Sequence, residues 1–143
     1  MVRVNRMPKD KTLTAGRAFE NLQSELLGAT QILVGFSGGL DSSVLLDLLS
    51  QTIPSDRITA IHINHGLSPK ASEWQLHAEH FCQERGIACH SERVKVEFDG
   101  KGPEAAARQA RYAVFEKLLH QDDVLLLGHH QDDQSETLLY RLM

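Results

Sequence analysis

The sequence predicts an α/β fold: a doubly wound, mostly parallel sheet with helices on both faces and the strand order 3-2-1-4. Three observations lead there. Short apolar runs alternate with stretches of helical periodicity, the pattern of consecutive βαβ units. Two runs, Ile32–Phe36 and Val124–Gly128, are apolar almost throughout, as strands covered on both faces are. The two richest polar segments follow directly on those runs, which is where doubly wound sheets place ligands.

The elements follow in order. Residues 1–11 are polar and charged and are expected to be a disordered terminus, leaving 12–143 as one nucleotide-binding domain. Thr12 or Thr14 can cap a helix to about Leu27, with Phe19, Leu22, Leu26 and Leu27 on one face and Gly28 as its stop. After the strand at Ile32–Phe36 come two glycines and a helix to about Thr52, with Val44, Leu45, Leu48 and Leu49 at helical spacing. Pro54–Arg57 is a turn and Ile58–Asn64 a second strand with a polar end. Ser72 caps a helix from Glu73 to about Arg85, closed by Gly86. A third strand lies within Ile87–Val96. Pro103 suits the first turn of a helix reaching about His120, Val124–Gly128 is the fourth strand, and a helix carrying Leu138, Leu139 and Leu142 ends the chain.

A chain of 143 residues is one domain by length, and 41% apolar with 24% charged residues is ordinary globular composition. The net charge of −4 offers no global attraction for nucleic acid; the N-terminal Arg3, Arg6, Lys9, Lys11 and Arg17 are the one basic stretch. Cys82 and Cys89 have neither zinc nor redox spacing and read as two reduced thiols. There is no apolar signal region and no run of membrane-spanning length, so a soluble, cytoplasmic protein with no membrane partner is expected.

The chemistry concentrates at Ser37-Gly38-Gly39-Leu40-Asp41-Ser42-Ser43. A strand, a glycine turn and a helix aim backbone N–H groups and a helix N-terminus at an anion. Gly38 and Gly39 let a phosphate approach the backbone, and three serine hydroxyls surround the same concavity. Asp41 would repel a phosphate unless a cation sits between them, which points to Mg²⁺. The loop is not a Walker motif, since no lysine occurs between Ile32 and Thr59, and G-x-G-x-x-G is absent too. Plain helix capping is the alternative reading of its serines and aspartate.

Three further segments stand out. His129-His130-Gln131-Asp132-Asp133-Gln134-Ser135-Glu136 crowds acids and histidines behind a buried strand, beyond what capping of a helix requires. Glu104–Tyr112 sets Arg108 and Arg111 three apart on one helical face, either an ordinary ion pair with Glu104 or a guanidinium fork on phosphate. His62-Ile63-Asn64-His65-Gly66-Leu67 ends the second strand beside the first, where the backbone could read an adenine edge. With strand order 3-2-1-4, the glycine loop and the His129 segment meet at the point where strand order reverses.

Ser-Gly-Gly-Leu-Asp-Ser resembles the signature of the PP-loop ATP pyrophosphatases, whose fold is adenine nucleotide α-hydrolase-like. Together the four segments resemble the tRNA(Ile)-lysidine synthetase family within that group, in the family's order and spacing over about Ile32–Leu142. Ser68 departs from the arginine usual after the Gly-Leu pair. The family also continues beyond the point where this chain stops at Met143, inside a predicted helix, so it reads as a fragment truncated at its C-terminal end.

The resemblance implies ATP-dependent transfer of AMP to a carbonyl oxygen of the wobble cytidine, then displacement of AMP by lysine. ATP and Mg²⁺ are the implied cofactors. The implied partners are tRNA(Ile) and L-lysine as substrates, and a homo-oligomer is compatible with the sequence. By resemblance, Ser37, Gly38, Gly39, Leu40, Asp41, Ser42, Ser43, His62 and Asn64 bind ATP, and Asp41 and Asp133 hold Mg²⁺. His129 or His130 steadies the α-phosphate, and Arg108 or Arg111 orients the nucleotide or the acidic loop. The alternatives are another PP-loop enzyme, a thiolase or amidating ligase, and a nucleotide-binding module without catalysis. A thiolase of the group usually carries Cys-x-x-Cys pairs, and none occurs here.

Overall fold

The computed structural model describes residues 2–7, 9–13, 24–66, 68–97, 100, 102–131 and 134–142. For 2–7, 9–13, Leu40, Asp41, Glu104, 128–131 and 134–142 the description is of backbone. The strands are β1 (Val2–Met7), β2 (Lys9–Leu13), β3 (Ile32–Gly35), β4 (Ile58–Asn64), β5 (Ala88–Arg93), β6 (Val124–Gln131) and β7 (Gln134–Leu142). The helices are α1, described over 24–28, α2 (Leu40–Thr52), α3 (Ala71–Glu84) and α4 (Pro103–Leu118).

The sheet runs β2-β1-β7-β6-β3-β4-β5. Its β6-β3-β4-β5 portion is parallel throughout, and counted in chain order those four strands read 3-2-1-4 from the β5 edge. Alternation along each strand divides the core in two. Ile32, Val34, Ile58, Ala60, Val124 and Leu126 face Leu46, Leu49 and Ile53 around α2 and Ala78 and Cys82 of α3. Leu33, Ile61, Leu125 and Leu127 face Val114 and Phe115 of α4 and Leu119 just beyond it. Each Val, Leu, Ile or Phe among them contributes ~1.5–3 kcal/mol on burial. α2 and α3 therefore step the chain outward to β5 on one face, and α4 returns it to β6 on the other. Strand order reverses between β3 and β6.

Gly35 sits where β3, β6 and α4 meet. A Cβ there would collide with Leu127 Cδ2 and lie 3.3 Å from Phe115 Cζ, so a side chain has no room between β6 and α4. At the opposite end, the Arg57 guanidinium donates to the carbonyls of Leu26, Leu27 and Ala29, closing the C-terminus of α1. Gly86, at φ +67°, ends α3 as its position predicts. The Arg85 side chain folds back over the Phe81 ring and reaches Asp47 at 3.2 Å, tying the end of α3 to α2.

The structure departs from the sequence reading at both ends of the chain. The predicted terminal helix is instead β7, antiparallel to β6 from Val124↔Arg141 to Gln131↔Gln134. A nine-residue helix closes few internal hydrogen bonds, whereas pairing along β6 satisfies a whole ladder. Where an irregular terminus is predicted over 1–11, β1 lies parallel to β7 and β2 antiparallel to β1. Of the helix predicted from Thr12 to Leu27, residues 24–28 are helical, 12–13 belong to β2, and 14–23 lie outside the described residues. Among the described residues no helix is long and apolar enough to cross a membrane.

Candidate nucleotide site at the switch point

β3 pairs with β6 up to Gly35↔Leu127. The segment 36–39 leaves the end of β3 while 128–131 continues in β6, so the two polar segments start side by side at the reversal of strand order. Sequence distance is bridged by the parallel pairing itself.

The glycine loop is folded by its own hydroxyls. Ser42 is 3% exposed; its Oγ accepts from the Ser37 N–H at 3.2 Å and lies 3.0 Å from Ser37 Oγ. Gly39 N–H donates to Ser37 Oγ at 3.2 Å, and Ser42 Oγ donates to the Gly39 carbonyl at 3.3 Å. Since an N–H only donates and a carbonyl only accepts, these bonds close a ring in which Ser37 Oγ–H donates to Ser42 Oγ. Ser43 Oγ donates to the same Gly39 carbonyl at 2.7 Å. Gly38, at φ +88°, makes the turn, and Gly39 is the N-cap of α2. Ser37 is exposed and Ser43 half-buried, whereas Ser42 is the buried latch. The first turn of α2, with Leu40 and Asp41 at its start, has N–H groups that no helical carbonyl can reach.

His62 and Asn64, at the end of β4, are each 4% exposed. Phe36 N–H donates to the Ile61 carbonyl at 2.8 Å. The Phe36 carbonyl lies 2.9 Å from His62 Nδ1, which must carry the proton because a carbonyl only accepts. Asn64 accepts from Gly66 N–H and donates to Gln75. His62 Nδ1 and both ends of the Asn64 amide are thus engaged with the protein itself.

His65 follows at the same end. Its Nδ1 is buried without a hydrogen-bond partner. Burial, then the Arg111 charge, then His62 hold its pKa below the ordinary histidine value. Arg111 of α4 thus lies close to the end of β4, joining two segments the sequence could only place separately. Arg108 is exposed, with its guanidinium 5.4 Å from the centre of the Tyr112 ring. The side chains of Asp41, His129 and His130 lie outside the described residues, as does Asp133 altogether. Sequence reasoning missed Gln75; its spacing of four from Glu79 on α3 was the only available signal.

Known proteins resemble this chain strongly. The tRNA(Ile)-lysidine synthase of Pseudomonas syringae pv. tomato is 53% identical over 113 residues, 77% of this chain and 25% of that protein. That of Photorhabdus laumondii is 48% identical over 130 residues, 88% of this chain and 29% of that protein. The chain thus spans little more than a quarter of these relatives' length. Two solved structures share the fold. The NH3-dependent NAD synthetase of Campylobacter jejuni has a TM-score of 0.53 at 13% identity, covering 76% of this chain and 52% of that one. The U34-tRNA thiolase of Methanococcus maripaludis also has 0.53, at 22% identity, covering 86% and 49%. The family model for the PP-loop domain matches residues 11–143, so the chain belongs to that family.

Proposed function

We propose that this chain provides the ATP-binding and adenylating domain of a cytoplasmic tRNA(Ile)-lysidine synthase. The observation that carries this reading is its near-half identity to several such synthases over most of its length. The strand–glycine turn–helix at the switch point agrees with it.

In the reaction so read, the carbonyl oxygen of the wobble cytosine attacks the α-phosphorus of ATP. An oxygen–phosphorus bond forms, the bond to the β-phosphate oxygen breaks, and pyrophosphate leaves. The lysine amine then attacks the activated ring carbon, the carbon–oxygen bond breaks, and AMP departs as the amine loses a proton. Ser37, Gly38, Gly39, Ser42 and Ser43, with the first turn of α2, hold the departing pyrophosphate. The Ser37 and Ser43 hydroxyls, which now bond within the loop, need only rotate to donate outward, while buried Ser42 holds the loop in shape. The backbone beyond β4 takes the base, with His62 and Asn64 fixing its course. His129 or His130 steadies charge at the α-phosphate, and Arg108 or Arg111 orients the nucleotide. Asp41 and Asp133 offer carboxylate oxygens, the donors Mg²⁺ prefers, and the ion when bound would offset charge between the phosphates.

Calorimetry with MgATP tests the first half of the reading: the chain should bind ATP, if weakly, and lack of binding would refute it. At a net charge of −4 a stable tRNA complex at physiological salt is not expected. Pyrophosphate release on mixing with ATP, lysine and tRNA distinguishes an enzyme from a nucleotide-binding module.

A further inference from the structure

A line of amide hydrogen bonds leads from the end of β4 along α3. Gly66 N–H donates to Asn64 Oδ1 at 2.9 Å. Asn64 Nδ2 donates to Gln75 Oε1 at 3.0 Å, and Gln75 Nε2 donates to Glu79 Oε1 at 3.1 Å. Ser91 of β5 also bonds the Glu79 carboxylate, which with Gln75 holds its pKa below the ordinary carboxylate value. The direction of this line is fixed from both ends. A backbone N–H can only donate, so Asn64 must turn its oxygen to Gly66 and its nitrogen to Gln75. An ionised carboxylate can only accept, so Gln75 must turn its nitrogen to Glu79. Neither amide can flip without setting donor against donor or oxygen against oxygen. The backbone so held is the turn at His65 and Gly66, where Gly66 has φ +66°.

β4 lies next to β3, with Gly35 opposite Ile61. In the ATP reading, a nucleotide with its phosphates on the loop after β3 places its base at this turn. We propose that Gln75 is a positioning residue for the base half of the nucleotide: through Asn64 it sets the His65–Gly66 backbone, with Glu79 as its anchor. The proposal rests on the ATP reading above.

Two ligands and two variants test it. MgATP and inorganic pyrophosphate with Mg²⁺ are titrated calorimetrically into the chain and into Gln75→Leu, with folding checked by circular dichroism. Gln75→Leu keeps the side chain's bulk but leaves Asn64 Nδ2 without an acceptor. It should weaken ATP by about tenfold, the scale of one lost, partly buried hydrogen bond, and leave pyrophosphate unchanged. The exchange Gln75→Glu with Glu79→Gln retains the relay, since Glu accepts from Asn64 and Gln donates to Glu, and should restore ATP binding. If Gln75→Leu does not fold, Gln75→Ala, which suits a helix and likewise offers Asn64 Nδ2 no acceptor, replaces it with the same contrast expected. Equal losses for both ligands, no loss for either, or no restoration by the exchange would overturn the proposal. ATP failing to bind the unsubstituted chain while pyrophosphate binds would sink the ATP reading and this proposal with it.

Discussion

Replacing Gly35 by alanine puts one methyl group where β3, β6 and α4 meet. The new Cβ collides with Leu127 Cδ2 and lies 3.3 Å from Phe115 Cζ. Leu127 and Phe115 are 6% and 4% exposed, so neither has open space to move into. Two effects oppose each other. Alanine is favoured over glycine in a strand by ~0.5–1 kcal/mol, chiefly through the unfolded chain. Overpacking a filled core costs ~1–3 kcal/mol. The collision wins, for a net loss on the order of 0.5–2 kcal/mol. With a urea m-value of ~1–3 kcal/mol/M, the unfolding midpoint should fall by several tenths of a molar or more. Leu127→Ala alone should cost ~2–5 kcal/mol. Combined with Gly35→Ala it should cost less than the sum, because the methyl then enters vacated space. Unchanged or raised stability of Gly35→Ala, or strict additivity of the pair, would refute the packing argument. The glycine loop starts one residue beyond Phe36, so ATP affinity should fall with Gly35→Ala as well.

Other expectations follow from the same geometry. Asp41→Asn, in the first turn of α2, should lower stability by no more than the ~0.3–1 kcal/mol of a lost helix-dipole interaction, yet abolish Mg²⁺-dependent pyrophosphate release in a complete synthase; retained release would rule out the metal role. His65 should titrate below the ordinary value of ~6.5 in an NMR experiment. Its folded pKa is depressed, chiefly by burial and then by Arg111, so the stability it contributes is full above the unfolded pKa and is lost as pH falls through the folded one. Arg111→Gln should move that titration upward, and an unmoved curve would place the arginine's charge out of reach. Iodoacetamide should label Cys89 before Cys82. The hydrogen bond between them favours the Cys89 thiolate, while that bond and burial push the Cys82 thiol up; equal labelling in the folded protein would contradict this.

The parallel half of the sheet was legible because its strands announce themselves locally. Ile58–Asn64 is a strand in the sequence reading and in the structure, and the helix after Pro103 ends within two residues of its expected limit. Such segments carry their own periodicity and punctuation. The β7–β1–β2 side was not legible, since its strands exist through partners far away, Val2 opposite Thr137 for example. The spacing of Leu138, Leu139 and Leu142 suits a helix as well as a strand, so only tertiary pairing decides. At the site, the glycine loop and its position at the switch point could be read from residue types. What could not be read is which polar side chains face inward. His62 and Asn64 read as ligand groups, yet their hydrogen bonds go to Phe36, Gly66 and Gln75, and the approach of Arg111 to His65 depends on how α4 crosses the sheet.

The two margins of the sheet bear on solubility. β2 and β5 are its outermost strands, and any outermost strand presents unpaired N–H and C=O groups to a passing chain. β2 reads Lys-Asp-Lys at its start, and β5 ends Ser-Glu-Arg, with Lys117 of α4 bonded to Glu92. At the β5 margin, a strand from another molecule would have to bring its own side chains against the charges of Glu92 and Lys117. The segments most apt to self-associate, Ile32–Gly35 and Val124–Leu127, are paired on both sides in the interior of the sheet. Growth of the sheet from molecule to molecule is therefore opposed where it could begin, and the apolar strands that support the nucleotide loop are kept from the surface where they would seed fibres.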